Sequence, residues 1–323
     1  MPQMTTRELR TMRYIIGVDL GGTQLRAALA EETGKLVEEV RVRTAADDGP
    51  AAVIDQITDC VERVRAALPP GGALLGVGIG SPGPLDPYTG VVFTQPNMTG
   101  WTNVPLRDIL ADRIGLPVEL GNDANAAALG EWHYGAGSGL RNLVYITVST
   151  GIGGGVIADG RLLVGHKGAG AEVGHHIVDW STGASWEDLA AGPGLAAAAA
   201  EAMVADPRSL LHGLASPETV TAVEVAQAAD AGDPLAQRLL DREGELIGIG
   251  LVNMLFLYSP ELILLGGGVV VHNPQLIERA RLVIQERAFE VYRSVPVQLA
   301  ALGDRAGLLG AIALFLHMRE ERG

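Results

Sequence analysis

Pro117-Val-Glu-Leu-Gly-Asn-Asp-Ala-Asn-Ala-Ala-Ala-Leu-Gly-Glu131 decides the fold, because within it a buried strand runs into two polar side chains and then at once into an alanine-rich helix. Such a seam sets Asn122 and Asp123 beside the free N–H groups of a helix start, where the backbone dipole favours negative charge and a phosphoryl group is well received. Both residue types are also favoured N-caps, so this stretch alone supports a plain cap as readily as a site. The choice between those readings comes from what the rest of the chain brings to the seam.

Upstream, Tyr14-Ile-Ile-Gly-Val-Asp19 reads as a buried strand that breaks at Leu20-Gly-Gly-Thr23, and 24–30 and 35–43 read as two further strands. A Walker-type loop or a dinucleotide fingerprint leads straight into a helix, whereas this glycine turn leads into a strand. It is a β-hairpin whose glycines, Gly21 and Gly22, let backbone N–H groups approach a ligand, with a hydroxyl from Thr23 and a carboxylate from Asp19. A tight turn with no ligand is the competing reading. Positions 50–68 are helical by spacing, which makes Cys60 a core residue. After a strand at 74–80, Ser81-Pro-Gly-Pro-Leu-Asp86 opens a long irregular loop to Trp101, and its Gln95-Pro-Asn97 has the amide content of a binding loop. A short helix at 105–114 leads back to the seam.

Downstream, 142–149 and 153–157 are strands around Thr150-Gly-Ile-Gly-Gly-Gly155, a second glycine hairpin with a hydroxyl at its tip. One such hairpin in each half suggests two lobes related by duplication and closing on a phosphate chain. Ala171-Glu-Val-Gly-His175 and His176 follow, then helices at 186–205, 216–230 and 234–258. A strand at 261–265 ends in Gly266-Gly-Gly268, a helix occupies 274–289, and a last strand 295–302. The final helix, 307–318, is apolar around most of its circumference and is expected to lie buried against the first lobe.

Across 323 residues, hydrophobic side chains make up 47% and charged ones 19%, the balance of an ordinary globular chain with room for two domains. The net charge of −14 argues against nucleic acid or an anionic membrane as partner, since both want a basic face. One cysteine excludes an intrachain disulfide and any multi-cysteine metal site. The N-terminus is charged with no apolar h-region, and the longest apolar segment, 246–258, is shorter than the ~20 residues of a membrane span, so a cytoplasmic protein is expected.

Taken together, these motifs resemble the ROK family of sugar kinases within the actin-like ATPase superfamily. The resemblance implies an α/β, two-lobed actin-like ATPase (ribonuclease H-like) fold, each lobe a mixed sheet flanked by helices, with a cleft between lobes. The small lobe is expected at 1–121, completed by 303–323, and the large lobe at 122–302. By resemblance, Asp19, Gly21, Gly22 and Thr23 form the first phosphate hairpin, Thr150, Gly151 and Gly153 the second, and Gly267 and Gly268 the adenosine-side turn. Glu172, His175 and Glu187 match the sugar-binding signature, Asn97 a further sugar contact, and Asn122 and Asp123 the sugar-binding amide and the catalytic base. The ligands implied are a hexose, ATP and Mg²⁺, with Asp19 meeting the metal through water; a homodimer is implied as well.

The residues can perform that chemistry. Transfer of a γ-phosphoryl group needs positioning, charge neutralisation and a proton acceptor, a role open to Asp123. Glucose is the first expectation for the sugar, with mannose, N-acetylmannosamine, fructose and allose as competitors. A sugar-responsive regulator and a polyphosphate-dependent kinase are the rival functions. Only 13 residues precede Tyr14, few for a helix-turn-helix reader, and no Lys or Arg cluster borders Gly151 or Gly267. Many relatives follow their E-x-G-H with a C-x-C-G-x-x-G-C stretch that binds structural zinc. Here that interval reads His175-His-Ile-Val-Asp-Trp-Ser-Thr-Gly-Ala-Ser-Trp186, without cysteine, so no structural zinc is expected. Packing of Trp180 and Trp186 and a turn at Gly183 are expected to hold the segment, and a carboxylate is a candidate to orient His175.

Overall fold

β1 (Arg13–Leu20) is buried from Tyr14 to Val18, and its side chains alternate between two helical layers. Antiparallel β2 (Gln24–Glu31) and β3 (Leu36–Arg43) follow, then α1 (Gly49–Arg65), β4 (Ala73–Ser81), the two-residue pair β5 (Leu85–Asp86) and β6 (Val91–Val92), α2 (Leu106–Ile114), β7 (Val118–Asn122) and α3 (Asp123–Tyr134). The computed structural model describes residues 11–94 and 98–322. Two units divide the chain. One runs up to Ala126 and resumes at Arg305, and the other runs from Ala127 to Asp304, so the chain changes unit within α3.

The first unit is built on a five-stranded sheet in the order β3-β2-β1-β4-β7, with β1, β4 and β7 parallel. Val53, Ile54, Ile57, Cys60, Val61 and Val64 give α1 one buried stripe at helical spacing, and it joins Ile16, Val18 and Ile79 in a common core. Cys60 is thus a core residue, and burial pushes its thiol pKa up.

The second unit repeats the topology. Its elements are β8 (Leu143–Val148), β9 (Ile152–Ala158), β10 (Arg161–Leu162), the small hairpin β11 (Ile177–Asp179) and β12 (Ala184–Ser185), α4 (Trp186–Ala190), α5 (Gly192–Ala205), α6 (Ala222–Asp230), α7 (Pro234–Tyr258), β13 (Leu262–Gly266), α8 (Gly268–Val271), α9 (Gln275–Arg287) and β14 (Val297–Leu299). The sheet order β10-β9-β8-β13-β14 matches that of the first unit strand for strand, with two antiparallel pairings followed by two parallel ones. Each unit is therefore a mixed sheet flanked by helices. Among the described residues no helix is long and apolar enough to cross a membrane.

α10 (Ala306–Arg322) returns to the first unit and lies on the face of its sheet opposite α1. Glycine makes this possible. A Cβ at Gly78 would fall 1.9 Å from Ala311 O and one at Gly17 2.5 Å from Leu308 O, so the helix backbone rests almost directly on the strands. Ile312, Leu314 and Phe315 are buried there, as the apolar circumference of the helix requires.

Three elements differ from the sequence expectation. The helix expected over 186–205 is two helices, because Pro193 has no N–H to continue a ladder; Ala191 is extended and α5 restarts with the proline in its first turn. The helix expected from Ser216 begins at Ala222, where Thr221 and Glu224 form a capping box. The strand expected over 295–302 shrinks to Val297–Leu299.

Candidate functional site

In the first unit the β1–β2 turn carries Gly21, Gly22 and Thr23. Gly21 N–H bonds Gln24 O at 2.9 Å, while Thr44 steadies the turn, donating its N–H to Thr23 O (3.0 Å) and its hydroxyl to Gly21 O (2.7 Å). Asp19 lies opposite Arg26 in the hairpin register, and Arg26 donates to Asp19 Oδ2 from Nη2 (2.5 Å) and Nε (3.2 Å). A Cβ at Gly307 would lie 2.3 Å from the same oxygen, so the carboxylate is seated against the first turn of α10.

At the seam, β7 ends at Asn122 and α3 starts at Asp123. Asn122 Oδ1 accepts from Ala124 N (2.9 Å) and Asn125 N (3.1 Å), and Asp123 Oδ1 also accepts from Ala124 N (2.8 Å). Asn122 is thus the helix cap, and Asp123 stands exposed on the first turn. The Asn122 amide nitrogen faces Gly83, where an added Cβ would sit 3.2 Å away. Asn97 lies outside the described residues.

In the second unit the β8–β9 turn carries Thr150, Gly151 and Gly153. Glu187, on the first turn of α4, accepts from Ile152 N at 2.7 Å, and a Cβ at Gly151 would fall 2.5 Å from the same carboxylate oxygen. The Glu172–His175 turn docks on β9. Val173 packs on Gly154, and Gly174 comes so close to Ile152 O that a Cβ would stand 2.1 Å from it. Glu172 and His175 are exposed at the two ends of this turn, and Glu187 is half-buried beside it, so the fold brings these three together around Ile152. The carboxylate within electrostatic reach of His175 is Asp188, whose pKa is lowered first by the Ser185 hydroxyl and backbone N–H and additionally by His175. The β8–β9 turn also borders a cavity of ≈ 740 Å³ that opens between Ser149, Thr150, the start of α5, one face of α6 and the Gly268 turn.

Its size and walls suit a nucleoside, and its position on a glycine hairpin of a duplicated mixed sheet makes comparison with known proteins decisive. The family model described as "ROK family" matches residues 15–318. The chain belongs to the ROK family. A glucokinase of Thermotoga maritima is 35% identical over 309 residues, 93% of this chain and 96% of that protein. The crystal structure of a ROK family glucokinase from Streptomyces griseus in complex with glucose and AMPPNP aligns at a TM-score of 0.77 and 33% identity, covering 93% of this chain and 98% of that one. A xylose repressor of Caldicellulosiruptor bescii is 28% identical over 94% of this chain and 78% of its own length.

Within the ROK frame, several cavity residues had escaped the sequence reading. Val223, Ala226, Gln227 and Asp230 lie at i, i+3, i+4 and i+7 along α6 and form one wall, with His272 and Asn273 after α8. No pattern in the sequence marks them; it is the structure that leaves Val223, an apolar side chain, 59% exposed on α6. Trp180 is a correction: it is 91% exposed and holds nothing, whereas Trp186 is fully buried. The Gly183 turn is present, with Gly183 N–H on Asp179 O at 2.8 Å.

For magnesium the donor set is sparse. Among the described residues no three His, Cys, Asp or Glu groups gather as a metal site, and Asp19 Oδ2 is taken by Arg26. A protein-built cage does not fit. The one form such a donor set would admit is a hydrated ion that keeps its own water shell, with Asp19 as the carboxylate that would meet it through water.

Proposed function

We propose that this chain is a hexose kinase that transfers the γ-phosphoryl group of ATP to the 6-hydroxyl of glucose. The supporting observation is that one turn, Thr150 to Ile152, lines the nucleoside-sized cavity at Thr150 and meets Glu187 and the Glu172–His175 turn at Ile152. A donor bound in the cavity and a polyol held by Glu172, His175 and Glu187 would meet at that turn. Among the described residues the cavity lining includes no Lys or Arg, which favours a nucleotide over polyphosphate.

In this reading Glu172, His175 and Glu187 hold sugar hydroxyls with mixed donors and acceptors, joined by Asn97 and by the Asn122 amide. Asp123 accepts the 6-hydroxyl proton as the hydroxyl oxygen bonds to phosphorus and the bond to the ADP oxygen breaks. The glycine turns around Gly21, Gly22, Thr23, Thr150, Gly151 and Gly153 offer N–H groups to the phosphates, and Gly267 and Gly268 border the nucleoside. Magnesium, when bound, neutralises phosphate charge; Asp19 would hold it through water.

A coupled kinase assay over glucose, mannose, N-acetylmannosamine, fructose and allose, each with ATP and with polyphosphate, tests this directly. Glucose with ATP is expected to give the highest kcat/KM, and 6-deoxyglucose to bind without turnover. A different hexose at the top changes the substrate and keeps the mechanism. Absence of phosphorylation on every sugar removes the kinase reading. In the same assay Gly151→Ala, which drives a methyl into Glu187 and breaks its bond to Ile152, is expected to raise the sugar KM by about 10-fold or more. An unchanged sugar KM would detach Glu187 from the sugar.

A further inference from the structure

The Glu172–Glu187 segment needs something to hold it, and the fold contains an unusual fixture. His176 Nδ1 meets Val173 O, and its Nε2 lies 3.0 Å from Asn253 Nδ2 on α7. A carbonyl only accepts, so Nδ1 carries the proton; in a neutral ring Nε2 is then an acceptor, and Asn253 presents its NH₂ to it. The imidazole also packs on Trp186 at 5.4 Å between ring centroids with a 54° tilt. Trp186 is fully buried, its Nε1–H donates to Leu246 O at 3.0 Å, and its backbone N–H donates to His176 O at 2.9 Å.

Leu246, Gly250 and Asn253 occur at i, i+4 and i+7 on α7, so one face of that helix receives the whole assembly. Gly250 is what admits the indole, because a Cβ there would lie 2.0 Å from Trp186 Cε2. The clamp sits between the two parts of the proposed sugar set: His176 directly follows His175, and Trp186 directly precedes Glu187.

We propose that Asn253, with His176, Trp186 and Gly250, is a metal-free positioning clamp that sets the sugar-binding geometry of the Glu172–Glu187 segment. The inference rests on the reading of Glu172, His175 and Glu187 as sugar contacts. The Asn253 amide fixes the imidazole from one side and Val173 O from the other, so ring, turn and indole move as a unit. Asn253 touches neither reactant and acts through His176.

Asn253→Leu removes the donor with most of its volume kept, and Asn253→Ala removes it with the best helix former in its place, which keeps the fold testable if the leucine variant misfolds. Both are expected to raise the sugar KM by about 10-fold, as loss of one part-buried hydrogen bond can, while the ATP KM and kcat at saturating sugar stay within about threefold. Combined with His176→Phe, Asn253→Leu should add little further, as for two members of one unit. Nitrogen-15 NMR of the parent protein, with His176 assigned from the spectrum of His176→Gln, should show the neutral Nδ1–H tautomer. Zinc content by elemental analysis should be far below one per chain, with sugar KM unaffected by a chelator once Mg²⁺ is resupplied. An Nε2–H tautomer, an unchanged sugar KM in both Asn253 variants, or stoichiometric zinc overturns the clamp. A parent that phosphorylates no sugar instead overturns the kinase reading, while the tautomer still reports on the clamp itself.

Discussion

Asp123→Asn is expected to lose about 10²- to 10⁴-fold in kcat, the usual worth of a positioned general base, with far less change in the sugar KM. The amide keeps an Oδ1 acceptor for Ala124 N–H, and Asn122 independently caps the helix with bonds to Ala124 and Asn125. α3 therefore stays intact, and the loss cannot be charged to unfolding. Asn122→Ala is the comparison variant, which removes the cap and also a proposed sugar contact, so that its effect is expected in the sugar KM. It removes the cap at about 1 kcal/mol of stability and leaves the carboxylate in place, so kcat should fall much less than in the Asp123 variant. Steady-state kinetics on both, beside their melting curves, decide the point: near-normal kcat in Asp123→Asn returns the residue to a helix-start acid.

How much of this was legible beforehand depended on whether the signal was local. The glycine hairpins were readable because a turn between two strand patterns excludes a strand-to-helix phosphate loop, and β1–β2 and β8–β9 are both hairpins. The cap was readable as a residue type, although whether Asn122 or Asp123 performs it required the Oδ1 geometry. The start of α6 was also in plain view, since Thr221 and Glu224 have capping-box spacing, and the longer apolar pattern obscured it. Pairings across long sequence separations were out of reach. His176 and Asn253 are 77 positions apart, and only the docking of α4 against α7 makes them partners. Trp180 shows the opposite error. Residue type suggested packing, but the Asp179 carboxylate binds Ser181 and Thr182, closing a tight turn whose tip holds the indole in solvent.

Glu243 sets up the second large effect, in stability rather than turnover. It lies on α7 among Leu239, Leu240 and Ile247, fully buried, and neither carboxyl oxygen has a hydrogen-bond partner among the described residues. Burial raises its pKa from 4.5 to about 8, against the opposing charge of Arg242. Below pH 4.5 the group is neutral in both folded and unfolded chains and has no effect on the balance. As pH rises from there toward 8, the unfolded chain releases the proton while the folded chain retains it, so stability falls steadily across that window and levels off above it. The displacement corresponds to a loss on the order of 4 kcal/mol, enough to move the melting temperature of a chain this size by many degrees. Glu243→Gln, which has no proton to release, should remove that portion of the pH dependence. Glu243→Met should go further, being more stable than the parent at pH 8, because an apolar side chain of similar volume replaces an orphaned acid in an apolar core. Melting curves from pH 5 to pH 9 on the three proteins measure both effects. Parallel slopes in parent and Glu243→Gln would mean that a buried water or a shifted side chain already satisfies the carboxyl, and that its proton is lost in the ordinary range.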